Sequence, residues 1–278
     1  MQVSFVNVDG VRTRYYHSGR GAPVVLVHGF GISADNWCRV LPTIANEFAV
    51  YAPDLIGHGF SDWRPSPAGV RPERYLARHV GRFMDALGLE RAAVVGTSLG
   101  GILVSLLALE RPELVASLGL VGIDVPMSPS GTVNPDVIKA AMTNGTKAMQ
   151  DATWESCLKR MANICFDPAA SPREVALIQT TIYAQPDRLE AYLGLGGGMA
   201  SREGLDQVRI VPEKIAAPTL VLTGREDIRA DIKTIEANYR RIAKAELVVF
   251  DRCGHLPHLE YPEKFAGVLL DFLRRQRP

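Results

Sequence analysis

A chain of 278 residues is long enough to bury a sizeable core, either as one large α/β domain or as a core carrying an insertion. Its hydrophobic content of 47% and charged content of 22% exclude a disordered chain, and no apolar run reaches the length needed to cross a bilayer. A net charge of +1 without a dense Lys or Arg block argues against nucleic acid or an anionic membrane as partner and leaves a small, uncharged or weakly charged molecule.

The amino terminus has no basic segment followed by a long apolar core, so a cytoplasmic location is expected. Gln2 to Val8 and Val11 to His17 alternate around Asp9-Gly10, the pattern of a hairpin with a two-residue turn. Pro23 to Val27 is an unbroken apolar strand ending in His28-Gly29-Phe30-Gly31, and a helix is expected beyond it, with Trp37, Val40, Leu41 and Ile44 on one face. Phe48 to Pro53 is another strand. It runs into the glycine-punctuated loop Asp54 to Asp62, and a helix from about Glu73 to Leu87 follows.

Ala92 to Val95 is short, apolar and rich in small or β-branched side chains, which suits a strand buried on both faces. Leu99 to Glu110 has helical spacing, so the chain turns sharply at Ser98, inside Gly96-Thr97-Ser98-Leu99-Gly100. A Gly-x-Ser-x-Gly turn between strand and helix raises a hydroxyl at the tip of a tight bend, with the Leu99 amide at a helix start that favours negative charge. Ser117 to Ile123 is the next strand.

From Met127 to about Pro212 helical patterns replace strands: near Pro135 to Met149, Thr153 to Ile164, and after Pro172. The expectation is a core of residues 1–126 and 213–278 with a helical lid at 127–212. The lid's methionines suit either an apolar substrate pocket or a small helical core, and Trp154, Met127 and Met161 are the candidate pocket residues. Gly194 to Gly198 lacks the Lys-Ser/Thr of a phosphate loop and is expected to be a flexible hinge. Strands resume at Thr219 to Thr223 and Glu246 to Phe250, separated by a helix from about Ile232 to Ile242, and a last helix starts at Pro262.

A serine needs a base within reach, usually a histidine oriented by a carboxylate. The last two strands run into Gly224-Arg225-Glu226-Asp227 and Cys253-Gly254-His255, on the sheet edge where Ser98 also lies. The order Ser98, Asp227, His255 is the one expected of a strand-turn-helix serine hydrolase. Asp124, after the strand that follows the Ser98 helix, is the alternative acid. His258 stands three residues from His255, but no third ligand is near enough to suggest zinc. Cys38, Cys157, Cys165 and Cys253 are scattered and read as reduced thiols.

With His28-Gly29-Phe30, the loop Asp54 to Ser61, Gly96 to Gly100, Gly224 to Asp227 and Gly254-His255 in place, the chain resembles the α/β-hydrolase fold family over essentially its whole length. The resemblance implies a mostly parallel, doubly wound eight-stranded sheet with a helical lid inserted after the sixth strand. It implies Ser98 as nucleophile, His255 as general base and acid, Asp227 as its orienting acid, and the Phe30 and Leu99 amides as an oxyanion hole. It implies no cofactor or metal, and a monomer or homodimer acting on a small molecule.

The preferred reaction is hydrolysis of a carboxylic ester of a small, largely apolar substrate through an acyl-enzyme. The lid is also similar to that of carbon–carbon hydrolases cleaving vinylogous diketones from aromatic-ring degradation. Against that reading stand Thr97 where those enzymes usually carry Asn, and only Arg160 and Arg188 as loose candidates for their lid arginine. A receptor that keeps the fold without turnover is the third reading.

Overall fold

The computed structural model describes residues 1–276. Strands β1 (Gln2–Val8) and β2 (Val11–Ser18) form the expected hairpin, closed by Asp9 and Gly10, both with positive φ, as a turn matching the right-handed strand twist requires. After β3 (Pro23–Val27) the anticipated helix is broken into a 3-10 turn, Ala34–Trp37, and one α-turn, α1 (Leu41–Ile44). Pro42 is the reason: it has no N–H to continue a helix but fits the first turn of a new one. Next come β4 (Ala49–Pro53), α2 (Pro72–Ala86), β5 (Ala92–Thr97), α3 (Leu99–Glu110) and β6 (Val115–Val121). Strand β6 starts and stops two residues before the expected bounds, because Gly122 leaves the β region at φ +57°.

The lid follows β6 and contains α4 (Pro135–Asp151), α5 (Trp154–Ala162), α6 (Arg173–Tyr183) and α7 (Arg188–Met199). Asn134 caps α4, and a reciprocal Thr153–Ser156 capping box starts α5. The chain then returns through β7 (Thr219–Gly224), α8 (Ile232–Asn238), β8 (Ala245–Phe250), α9 (Pro257–Glu260) and α10 (Pro262–Arg275). Helix α8 is shorter than its pattern suggested and ends in a 3-10 turn, Tyr239–Arg241.

Among the described residues, eight strands make one sheet in the order β1-β2-β4-β3-β5-β6-β7-β8, antiparallel at the β1-β2-β4 edge and parallel from β4 to β8. The central strands feed two cores. Val25, Val27 and Val94 pack with α2, α3 and α8 on one face, and Val24, Leu26 and Val95 pack with α1 and α10 on the other. Burial on both sides explains why β3 and β5 read as unbroken apolar runs. Since β3, β5, β6, β7 and β8 are parallel, the loops that leave them converge on one edge.

The lid has its own core, in which Met149, Cys157, Met161, Ile182, Tyr183 and Tyr192 meet Leu256 and Leu259 of the main body. Gly194 to Gly198 is not a hinge: it lies within α7. Its glycines permit close packing. A Cβ on Gly196 would stand 2.7 Å from Met142 Sδ, and one on Gly198 2.6 Å from Pro72 Cγ. Among the described residues, no helix is long and apolar enough to cross a membrane.

Candidate active site

Ser98 joins β5 to α3 at φ +53°, ψ −120°, a conformation that costs a non-glycine residue about 1–3 kcal/mol and persists only where the surroundings enforce it. They do so here through close backbone packing. The Ser98 N–H donates to Val121 O at 2.9 Å, a Cβ on Gly96 would lie 2.2 Å from Gly100 O, and one on Gly100 would lie 2.3 Å from Val27 O. Only glycine fits at either place.

His255, in the loop after β8, donates from Nδ1 to both Asp227 oxygens, at 3.0 and 2.9 Å. The Asp227 side chain is fully buried and also accepts the Arg229 and Ala230 N–H groups at 2.8 and 3.2 Å. With Nδ1 held, the other ring nitrogen is the free one. His255 Nε2 is buried without a hydrogen bond among the described residues, and His255 lines the same cavity as Ser98. The serine hydroxyl is not bonded to Nε2 in this structure; such bonds often tighten only when substrate is bound.

Opposite lies the loop after β3. His28 donates from Nδ1 to Gly29 O at 2.8 Å and accepts the Leu55 N–H at 3.0 Å; burial lowers its pKa to about 4, so it is neutral scaffold. Asp54 accepts Arg14 Nε at 2.6 Å, Arg14 Nη2 at 2.9 Å, and the Ala34 and Phe60 N–H groups, each at 2.8 Å. Burial raises the Asp54 pKa against the opposing pull of Arg14. The lid closes over this loop: Arg160 donates to Gly31 O at 2.9 Å, Phe30 O at 3.3 Å and the Tyr183 hydroxyl, while Tyr192 stacks on Phe30 at 4.3 Å. Among the described residues, the Phe30 and Leu99 amides donate to no acceptor outside their own elements, and both residues line the cavity.

That cavity has a volume of about 640 Å³ and carries Ser98, His255 and Asp227 beside the apolar side chains Ile102, Ile123, Val133 and Ile138. Residues 22–262 match the family described as alpha/beta hydrolase fold. The chain belongs to this family.

This hydrolase is closely related to the lidded carbon–carbon hydrolases known as meta-cleavage product hydrolases. It is 31% identical to the 2-hydroxymuconate semialdehyde hydrolase of Pseudomonas sp. strain CF600, over 95% of this chain and 91% of that one. It is 32% identical to the 2-hydroxy-6-oxononadienedioate/2-hydroxy-6-oxononatrienedioate hydrolase of Paraburkholderia xenovorans strain LB400, over 95% and 92%. Among solved structures, a point mutant of the meta-cleavage product hydrolase CumD, an enzyme of Pseudomonas fluorescens IP01, superposes with a TM-score of 0.79 over 98% of both chains, at 25% identity.

In this hydrolase the sequence-derived residues divide into two sets. Ser98, Leu99, Phe30, Asp227, His255 and Asp124 all meet at the cavity. Asp124 does not reach His255: its Oδ2 accepts the Asp231 N–H at 3.0 Å, and burial raises its pKa. The expected pocket residues lie elsewhere. Met127 is in the main core and Met161 in the lid core, both fully buried, while Trp154 sits under the Arg173 guanidinium. Met161 packs inward because the lid must bury its own apolar faces, and the lid side chains at the cavity come instead from the segment before α4 and from α4 itself, among them Val133, Val137 and Ile138. Arg188 is tied to Ser61 O and Asp187. His258 accepts from Asn36 Nδ2 at 2.6 Å against Trp37, and burial lowers its pKa to about 3.

Three contributors escaped the sequence reading. Gly122 passes directly beneath the His255–Asp227 pair: a Cβ there would stand 2.7 Å from His255 O, 3.2 Å from Nδ1 and 3.3 Å from Asp227 Oδ2. Glu260 accepts the Gly254 N–H at 3.0 Å and the Phe166 N–H of the lid at 2.8 Å, which ties the histidine loop to the lid. Arg229 lines the cavity. Only Gly122 had a local signal, as a glycine ending a buried strand.

Proposed function

We propose that this hydrolase cleaves a carbon–carbon bond beside the ketone of a dienoate formed by aromatic ring fission, rather than the carboxylic ester preferred from motifs alone. The observation that carries this reading is the full-length similarity, at 32% and 30% identity, to hydrolases named for 2-hydroxy-6-oxononadienedioate and 2-hydroxy-6-oxo-2,4-heptadienoate. The residues at the cavity suit the chemistry.

Carbon is a poor leaving group unless its electron pair is delocalised. The substrate's dienol therefore first ketonises, moving its hydroxyl proton to the carbon that will leave and creating a conjugated carbonyl as electron sink. Ser98 Oγ then adds to the ketone, its proton passes to His255 Nε2, and Asp227 supports the imidazolium through Nδ1. The new oxyanion takes the Phe30 and Leu99 amides. Collapse breaks the carbon–carbon bond, its electron pair enters the conjugated carbonyl as a dienolate, and His255 returns the proton. Water, activated by His255, then hydrolyses the acyl-Ser98 ester. The balance is substrate plus water giving a dienol acid and a second carboxylic acid.

The test compares kcat/KM for a coloured ring-fission dienoate with that for p-nitrophenyl butyrate, alongside labelling by a fluorophosphonate. A higher value for the dienoate, with labelling abolished in Ser98→Ala, is expected. A higher value for the ester would return the reaction to ester hydrolysis. Absence of both turnover and labelling would indicate a receptor.

A further inference from the structure

Among the described residues, two arginines stand together at this site with no carboxylate hydrogen-bonded to either guanidinium. Arg229, in the loop between β7 and α8, lines the cavity with Ser98 and His255. Its backbone N–H is taken by Asp227, but among the described residues its guanidinium has no hydrogen bond or ion pair. Its electrostatic neighbours are Arg160, Tyr192 and Asp227. Arg160 is itself buried, and its donors go to two carbonyls and the Tyr183 hydroxyl.

The acids lining the cavity are already engaged. Asp227 holds His255 Nδ1 and two backbone amides, and Asp124 holds the Asp231 N–H. Asp231 caps α8 through the Lys233 and Thr234 N–H groups. Burial first, and the Arg160 charge second, lower the Arg229 pKa to about 10, which leaves it cationic at neutral pH. A half-buried guanidinium with none of its donors taken among the described residues, beside a second arginine, is a group whose fork a ligand carboxylate can complete.

We propose that Arg229 is the specificity-determining group that binds the substrate's carboxylate, its planar fork of donors taking both oxygens while the carbon skeleton lies along Ile102, Ile123 and Ile138. Arg160 adds to the local positive potential without contacting the anion. The inference rests on the carbon–carbon reading of the same cavity, since a ring-fission dienoate carries a carboxylate at the end remote from its ketone. The sequence held no sign of it, because a lone arginine two residues after an aspartate is ordinary in a surface loop.

Isothermal titration of sorbate, a short dienoate, and of its neutral amide tests the assignment without requiring turnover. Wild type is expected to bind the anion about 10–100-fold more tightly than the amide, the range of a charge-assisted hydrogen-bond pair. In Arg229→Met that ratio falls to near one, while Arg229→Lys is intermediate because it keeps the charge and loses the fork. The Arg229→Met variant is also expected to melt at or above the wild-type temperature. An undiminished ratio in Arg229→Met, or no preference for the anion in wild type, would overturn the proposal. Failure of the carbon–carbon reading is seen separately, as wild type that binds sorbate in this way but does not turn over the ring-fission dienoate.

Discussion

Replacing Gly122 by alanine separates the cost of an unusual backbone from the cost of moving the histidine. At φ +57° an alanine is strained by about 1–2 kcal/mol wherever it occurs. Gly122 carries a second penalty that most such glycines lack. Its new methyl group would stand 2.7 Å from His255 O, so reaching ordinary contact of about 3.4 Å needs a displacement of about 0.7 Å in the loop bearing the imidazole, with Nδ1 and Asp227 Oδ2 also crowded. A misplacement of this size is worth about 10–100-fold in rate. Gly88 is the control: its φ is +66°, and a Cβ there meets nothing within 4 Å. Urea unfolding should show a loss of about 1–2 kcal/mol in Gly88→Ala and at least that much in Gly122→Ala. Steady-state kinetics should show kcat down in Gly122→Ala alone. If the two variants have the same kcat, the argument that Gly122 spaces the His255–Asp227 pair is wrong.

Other outcomes follow from the same contacts. Asp227→Asn should reduce kcat by about 10³–10⁴-fold, whereas Asp124→Asn should leave it within an order of magnitude; the reverse ranking would make Asp124 the acid. Asp54→Ala strips Arg14 of one of its two buried carboxylates and orphans the Ala34 and Phe60 amides, so unfolding free energy should drop by about 3–5 kcal/mol; a loss under about 1 kcal/mol would show the loop is held by other means. His79 packs neutral beside Thr13, and burial lowers its pKa from 6.5 to about 4. Because the unfolded chain binds its proton more readily, this histidine's contribution is complete above pH 6.5 and is lost as pH falls toward 4. In His79→Gln the stability difference between pH 7.5 and 5 should therefore shrink by about 2 kcal/mol, read from urea midpoints at the two pH values, and an unchanged difference would refute the assignment.

How much was readable in the residue string depends on the range over which each feature is encoded. The hairpin at Asp9-Gly10, the apolar strands, and the turn at Ser98 with its flanking glycines are local, because backbone sterics and hydrophobic period act over a few neighbours. Gly194 to Gly198 misled for the same reason. A glycine run disfavours a helix on its own, and α7 forms because Met142 and Pro72 need room against it. Met127 and Met161 look identical to pocket residues in sequence, since apolar character says nothing about which apolar surface a side chain meets.

Taken alone, the sequence determined the class of fold, the insertion of a lid after the sixth strand, and the serine, histidine and acids that the strand ends could present. Those depend on short-range propensity and on the rule that parallel strands gather their outgoing loops at one edge. The choice of Asp227 over Asp124 as the carboxylate bonded to His255, the Gly122 floor, the Arg160 contact over Phe30, and the Arg229 guanidinium left without a hydrogen bond among the described residues were decided only in three dimensions. Each is a distance between segments far apart in the chain, and such distances arise only when the whole sheet and lid pack together.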